Sequence, residues 1–246
     1  MSQPEPVIVA AVRTPMGKGK PGGALSEVHP VDLLAHTFRA LIERTGIDPD
    51  EVDDVLTGCV GQVREQAGTP GRQAWLAAGY PEHVPAVTIE RKCGSGQQAI
   101  DFAAYGIRSG AYDIVIASGV ESMSRVPMGS NYQDADPFGP RVRARFPRLA
   151  PQGICAELVA LKWQFTREQL DVYSVESHKR AAAAADSGGF SDEIVPIPLP
   201  DGRVVTADET IRRNTNVEKL SQLEPAFDNP KYRERFPEIT EWKITA

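Results

Sequence analysis

Cysteine is scarce in this sequence: Cys59, Cys93 and Cys155 are the three in 246 residues. So few, so widely spaced, exclude a disulfide scaffold and a zinc cluster. Basic charge is short as well, with 27 Lys and Arg against 33 Asp and Glu and a net charge of -6. That balance argues against general binding to nucleic acid or to an anionic membrane, both of which require a basic face. No apolar run approaches the roughly 18 residues of a membrane span. The amino end has neither the basic start nor the apolar stretch of a secretory signal. No GxxxxGK(S/T) or GxGxxG follows a strand pattern, so phosphate-cradling and dinucleotide loops of those kinds find no support. His29, His36, His83 and His178 lack metal-ligand spacing, and no metal is expected. A soluble cytoplasmic protein remains, long enough for one large domain or two modest ones.

What is present alternates between two periodicities. Residues 7–12 (VIVAAV) form the short, continuous apolar run of a strand covered on both faces. From Asp32, apolar residues recur at helical spacing through Ile42, and Gly46 stops them. Residues 54–60 predict a second strand, 72–78 a short helix and 86–90 a third strand. A helix follows with Ile100, Ala103, Ala104 and Ile107 on one face, then another buried-type strand at 113–118. Strands alternating with helices imply βαβ units and a mostly parallel sheet, hence an α/β class. The pattern changes after Met123. Residues 127–151 hold five prolines and read as an extended loop. A helix is expected at 155–163, then a long one opened by a Thr166–Gln169 capping box and ending near 186–189. Asp201-Gly202 reads as a hairpin turn. The expected division is therefore an α/β domain over 1–122 and a loop-rich α+β insertion over 123–246.

The segment that carries chemistry is Arg91-Lys92-Cys93-Gly94-Ser95-Gly96. A strand ends in a tight turn and a helix begins, with Cys93 at the junction. A cysteine at a helix amino end feels the macrodipole and unpaired N–H groups, which favour the thiolate. Those same N–H groups can stabilise an oxyanion on an acyl group carried by the sulfur. A structural cysteine beside a glycine turn is the plainer alternative. Cys59 and Cys155 read as packing residues. Arg141, Arg143, Arg145 and Arg148 form a basic group that suits either a solvated loop or a phosphorylated ligand.

Several motifs together resemble the amino-terminal half of a thiolase. They are Val12-Arg13-Thr14-Pro15-Met16-Gly17, the Cys93 elbow with Gln97-Gln98-Ala99, and Gly119-Val120-Glu121-Ser122-Met123-Ser124. Gln152-Gly153 with Ala156-Glu157, Asp208-Glu209 with Arg212, and Glu218-Lys219-Leu220 with Leu223, Pro225, Ala226 and Phe227 follow in the family's order. The resemblance implies a layered α/β/α domain with the loop domain inserted, and an acyl-CoA:CoA acyltransferase. The cysteine matching Cys93 would attack the 3-keto carbon of a 3-ketoacyl-CoA, splitting one difficult carbon–carbon cleavage into two transfers. Coenzyme A enters as substrate, with no bound cofactor. Arg212 and Thr215 match positions that contact the nucleotide end of CoA, and Leu223 and Phe227 match positions flanking it. From residue chemistry alone, Arg212 is equally a surface partner of Asp208 and Glu209.

The resemblance also implies a second thiolase domain that this chain lacks. That half supplies a histidine in a Gly-His-Pro motif and a second cysteine as acid/base. The expected assembly is a homo-oligomer, dimer or tetramer, or a pairing with a carboxyl-terminal half. Pro151-Gln152 stands where short-chain members carry His-Met, so chain length does not carry over. Two rivals are a CoA-binding, catalytically inactive thiolase-like fragment and a ketoacyl-synthase-like enzyme. The long loop insertion and the Glu218-to-Phe227 stretch argue against the latter.

Overall fold

A computed structural model of the chain describes residues 4–245. The chain divides into two compact units. Unit 1 runs to Gln133 and takes back Phe190–Thr210; unit 2 comprises Asp134–Gly189 and the chain from Ile211. The boundary therefore differs from a single cut after residue 122. The reason lies in residues 190–210, which return to the amino-terminal strand of chain: Arg13 and Ile194 form an isolated parallel bridge. Arg13 also donates to Glu193 and, through both terminal nitrogens, to Asp208 at 2.7 and 3.0 Å.

Unit 1 is built on a parallel sheet of β1 (Asp54–Gly58), β2 (Ala86–Ile89) and β3 (Val115–Gly119), in the order β2-β1-β3. Alternation along the central strand decides what each face meets. Val55 and Ile116 join Leu34, Ala35 and Phe38 of α1 (Pro30–Thr45) and Ala74 and Trp75 of α2 (Pro70–Ala77). Leu56 faces the other way, onto Ala99 and Ala103 of α3 (Ser95–Ser109). This is the expected α/β/α layering. Helix α1 starts at Pro30, capped by the His29 side chain, and stops at Gly46, whose φ of 65° is the left-handed conformation that glycine adopts without strain.

Three expectations in unit 1 are corrected. Residues 7–12 form no strand, and Val7, Ile8 and Val9 are 73, 78 and 70% exposed. An apolar run becomes a strand only where a neighbour supplies main-chain partners, and among the described residues none does so before Arg13. On α3 the buried face is Ala99 and Ala103 rather than one that includes Ile100, which stays 44% exposed. The Asp201-Gly202 hairpin forms as read, with β4 (Ile197–Pro198) antiparallel to β5 (Val204–Val205), but it lies in unit 1.

Unit 2 is helical. Its elements are α4 (Gly139–Arg145), α5 (Gln152–Lys162), α6 (Arg167–Asp186), α7 (Val217–Ser221) and α8 (Pro230–Arg235). The presence of α4 corrects the reading of 127–151 as loop throughout. The Thr166–Gln169 capping box is fully formed, each side chain bonding the other's backbone N–H. The core is Ile154, Phe236 and Ile239. Asp171, 3% exposed, is held by Arg167, which also donates to the carbonyls of Leu220 and Leu223 and so ties α6 to α7. Among the described residues no helix is long and apolar enough to cross a membrane.

The Arg13–Asp208 pair gives a pH test. Arg13's hydrogen bonds hold the Asp208 carboxyl below the usual carboxylate range, with the Met16 N–H assisting. Its contribution is complete above the unfolded value of about 3.9 and is lost as pH falls through the lower folded value. Asp208→Asn is expected to lower stability at pH 7 by about 2 kcal/mol and to remove this part of the acid transition, read by denaturant titration from pH 7 to 2.

Candidate active site

The chain reverses direction between the end of β2 at Ile89 and the start of α3 at Ser95. The reversal passes through Lys92, whose φ of 50° is unusual for a residue with a side chain. The turn is closed by Gly94 N–H to Arg91 O at 3.1 Å and Ser95 N–H to Lys92 O at 3.0 Å. Cys93 sits between them and is exposed. It stands just ahead of Gly94, the N-cap of α3, and the first turn of that helix contains no acidic residue to compete with an anion. The N–H groups of Gly96 and Gln97 have no acceptor among the described residues, as expected at a helix start without a side-chain cap.

The elbow is pressed onto the ends of the sheet strands by glycine. A Cβ on Gly58, the last residue of β1, would stand 2.5 Å from Gly96 N and from Ser95 C. Gly119, its partner on β3, lies within 3.8 Å of Gly96 Cα when given a Cβ. The Gly58 contact is with backbone, so no side chain can move aside to relieve it, whereas the Gly119 distance is ordinary packing.

Charge at the elbow is balanced locally. Lys92 pairs with Glu90 at 2.9 Å, and the Glu90 carboxylate also accepts the Lys92 N–H. The pairing holds the Glu90 carboxyl below, and the Lys92 ammonium above, their ordinary values. Beyond the turn, Glu121 accepts N–H groups of Val60 and Gly61, while buried Gln66 bonds Glu121 Oε1 and accepts Ser122 N–H. This ties the loop after β1 to the loop after β3.

The other two cysteines separate cleanly. Cys59 is 1% exposed, and burial, assisted by Glu121, pushes its thiol up to about 12. It is the inert packing cysteine expected. Cys155 is exposed on α5, contrary to the packing reading.

The remaining sequence-predicted residues all lie in unit 2. Arg212 is exposed, its backbone N–H donating to His178 Nδ1 at 3.2 Å. Thr215 closes a turn onto it, with Thr215 N–H to Arg212 O at 3.2 Å. The Leu223 side chain is 39% exposed while its carbonyl accepts from Arg167. Phe227 is partly buried against Gly153, where a Cβ would stand 2.1 Å from its ring. That contact joins the Gln152-Gly153 and Pro225-Ala226-Phe227 segments. Asp208 and Glu209 are engaged within unit 1, by Arg13 and by the N–H groups of Met16, Lys18 and Ala24. The basic group on and after α4 is half spent: Arg143 pairs with Asp136 and Arg148 with Glu238. An open cleft of about 530 Å³, lined by Pro225, Asp228, Arg233, Ile239 and Trp242 among others, holds none of the predicted site residues. Among the described residues no cluster suits a metal ion.

Each of the four histidines has a backbone hydrogen-bond partner. His29 accepts Val31 N–H, His36 meets Pro196 O, His83 meets Asp50 O and His178 accepts Arg212 N–H.

Two outcomes follow from this geometry. Under native conditions near pH 8, iodoacetamide is expected to modify Cys93 and Cys155 and to leave Cys59 unmodified, as read by peptide mass mapping. Gly58→Ala is expected to cost about 1–3 kcal/mol of stability and to slow alkylation of Cys93 relative to Cys155. Unchanged relative rates would show that the elbow does not depend on this contact.

Comparison with known proteins agrees with the motifs. The family described as thiolase, N-terminal domain, matches residues 6–230. The steroid 3-ketoacyl-CoA thiolase FadA6 of Mycobacterium tuberculosis is 44% identical over 233 residues, covering 91% of this chain and 56% of that protein. The peroxisomal 3-ketoacyl-CoA thiolase 5 of Arabidopsis thaliana is 42% identical over 237 residues, covering 90% and 50%. Among solved structures, the acetyl-CoA acetyltransferase of Bacillus anthracis superposes with a TM-score of 0.77 at 36% identity, covering 93% of this chain and 60% of that one. The chain thus spans about half the length of the curated relatives it matches.

Proposed function

The chain belongs to the thiolase family through its amino-terminal domain, and from that premise we propose that Cys93 is the acyl acceptor of a CoA-dependent acyl transfer. The carrying observation is the elbow: an exposed cysteine at the start of α3, in front of two N–H groups without acceptors. The Cys93 thiolate adds to the 3-keto carbon of a 3-ketoacyl-CoA. The C2–C3 bond breaks, its electron pair stays on C2, and C2 takes a proton to leave as acetyl-CoA. A second CoA thiol gives up its proton and attacks the acyl–sulfur carbon, releasing the shortened acyl-CoA and restoring the Cys93 thiolate. One proton is taken up and one released, so the cycle closes. The reverse direction is a Claisen condensation. N–H groups at the helix start stabilise the oxyanion in both steps.

Unit 2 is the proposed CoA-binding region, with Arg212 and Thr215 toward the nucleotide end and Leu223 and Phe227 flanking the chain of the ligand. Charge supports this. Unit 2 carries 15 Lys and Arg against 13 Asp and Glu, whereas unit 1 carries 12 against 20. In a protein of net charge -6, the basic residues are concentrated in the unit assigned to a polyanionic ligand. A second reading, CoA binding without turnover by these residues alone, is favoured by the occupied histidines. In the first reading the chain is proposed to work as a homo-oligomer or with a carboxyl-terminal half. The proposed compartment is the cytoplasm.

After incubation with a 3-ketoacyl-CoA, the acyl mass is expected on the Cys93 peptide, absent in Cys93→Ser, and absent from Cys59 and Cys155. A label on Cys155 with Cys93 untouched would overturn the assignment. Arg212→Ala is expected to weaken CoA binding by about 10- to 150-fold, the loss of one charge-assisted hydrogen bond. An unchanged Kd by titration calorimetry would remove Arg212 from the site. Thiolysis by the chain alone, compared with the chain plus a carboxyl-terminal half, separates the two readings.

A further inference from the structure

We propose that Ser95 is the positioning residue of the elbow, its hydroxyl locking the turn that presents Cys93. The side chain is 4% exposed and is the first residue of α3. The N-cap, Gly94, has no side chain to offer, and Ser95 bonds back across the turn. Its hydroxyl donates to Lys92 O at 2.6 Å and accepts Arg91 N–H at 2.9 Å. One oxygen thereby joins the donor just before the left-handed residue to the acceptor on that residue itself. A conformation such as that of Lys92 persists only where its surroundings over-determine it. The two main-chain bonds that close the turn fix Gly94 and Ser95, but neither engages the Arg91 N–H. The hydroxyl completes the set.

The first turn stays open beside this lock. Gly94 at the N-cap carries no side chain and Ser95 is engaged with Arg91 and Lys92, so among the described residues the N–H groups of Gly96 and Gln97 have no acceptor.

The inference rests on Cys93 being the nucleophile, and its test is separable from that reading. In the full chain, iodoacetamide alkylation rates of Cys93 and Cys155 are measured together from pH 6 to 10 by mass mapping. Cys155 is exposed and belongs to the other unit, so it serves as the internal reference. Ser95→Ala is expected to lower the Cys93-to-Cys155 rate ratio at least tenfold. Ser95→Thr, which keeps a hydroxyl, is expected to stay within threefold of the unaltered chain. A folded Ser95→Ala with an unchanged ratio overturns the proposal, as does a folded Ser95→Thr that behaves like the alanine variant. Should Ser95→Ala not fold, hydrogen exchange of the unaltered chain decides. An Arg91 amide protected like those of β2 supports the bridge, and one that exchanges freely overturns it. If acyl transfer to Cys93 fails while the alkylation ratio responds to Ser95, the acyl-transfer reading falls and the role of Ser95 stands.

Discussion

The closeness of α3 to the strand ends is the constraint on which the rest of unit 1 depends. The helix can begin against β1 only because Gly58 has no side chain where a Cβ would run into the backbone of Ser95 and Gly96. That contact fixes the height of the elbow above the sheet. Ala99 and Ala103 extend the same contact along the helix against Leu56, while the opposite face is filled by Phe38 and Trp75, whose rings meet edge to face at 6.0 Å. The sheet is thus packed asymmetrically. Bulk on one face anchors it, and smallness on the other brings a reactive helix end close.

A second device recurs throughout the chain: carboxylates that accept main-chain N–H groups in irregular segments. Glu121 holds Val60 and Gly61, Glu209 holds Lys18 and Ala24, Asp53 holds Asp113 and Ile114, and Glu157 holds Lys243 and Ile244. Each replaces the partners that a helix or sheet would have supplied. Part of the acidic excess of the sequence therefore serves loop architecture and is not free surface charge. Glu121, Glu157 and Glu209 belong to motifs by which the sequence resembles its family, and the hydrogen bonds give those motifs a physical reason.

Much of this was legible in the residues. Helix ends were marked by Gly46 and by the Thr166–Gln169 box, because those signals act locally. The elbow was legible for the same reason, whereas the continuous apolar run at 7–12 formed no strand. What could not be read was pairing between distant segments. Arg13 and Asp208 are far apart in sequence, and nothing near either announces the other. The return of residues 190–210 to unit 1 depends on that pairing, so the domain boundary was displaced with it. Ile100 misled because its spacing fits one helical face, whereas Ala99 and Ala103 are the residues that pack on Leu56 of the sheet. Ser95 was visible within the motif, but its direction of bonding is a property of the folded turn alone.

Residues 7–12 combine six apolar side chains, no charge and no proline, and Val7, Ile8 and Val9 stand open to solvent. Segments of that composition are the ones that stack between molecules into dry, interdigitated β-spines when left uncovered. The flanks are of the opposite character. Pro4 and Pro6 precede the segment, and Arg13 and Pro15 follow it. Proline interrupts a growing ladder of strands, so Pro4, Pro6 and Pro15 act as gatekeepers at both ends, while the charge of Arg13 is held by Glu193 and Asp208. The short stretch that reads most strongly as a strand is therefore bounded by residues that resist its stacking.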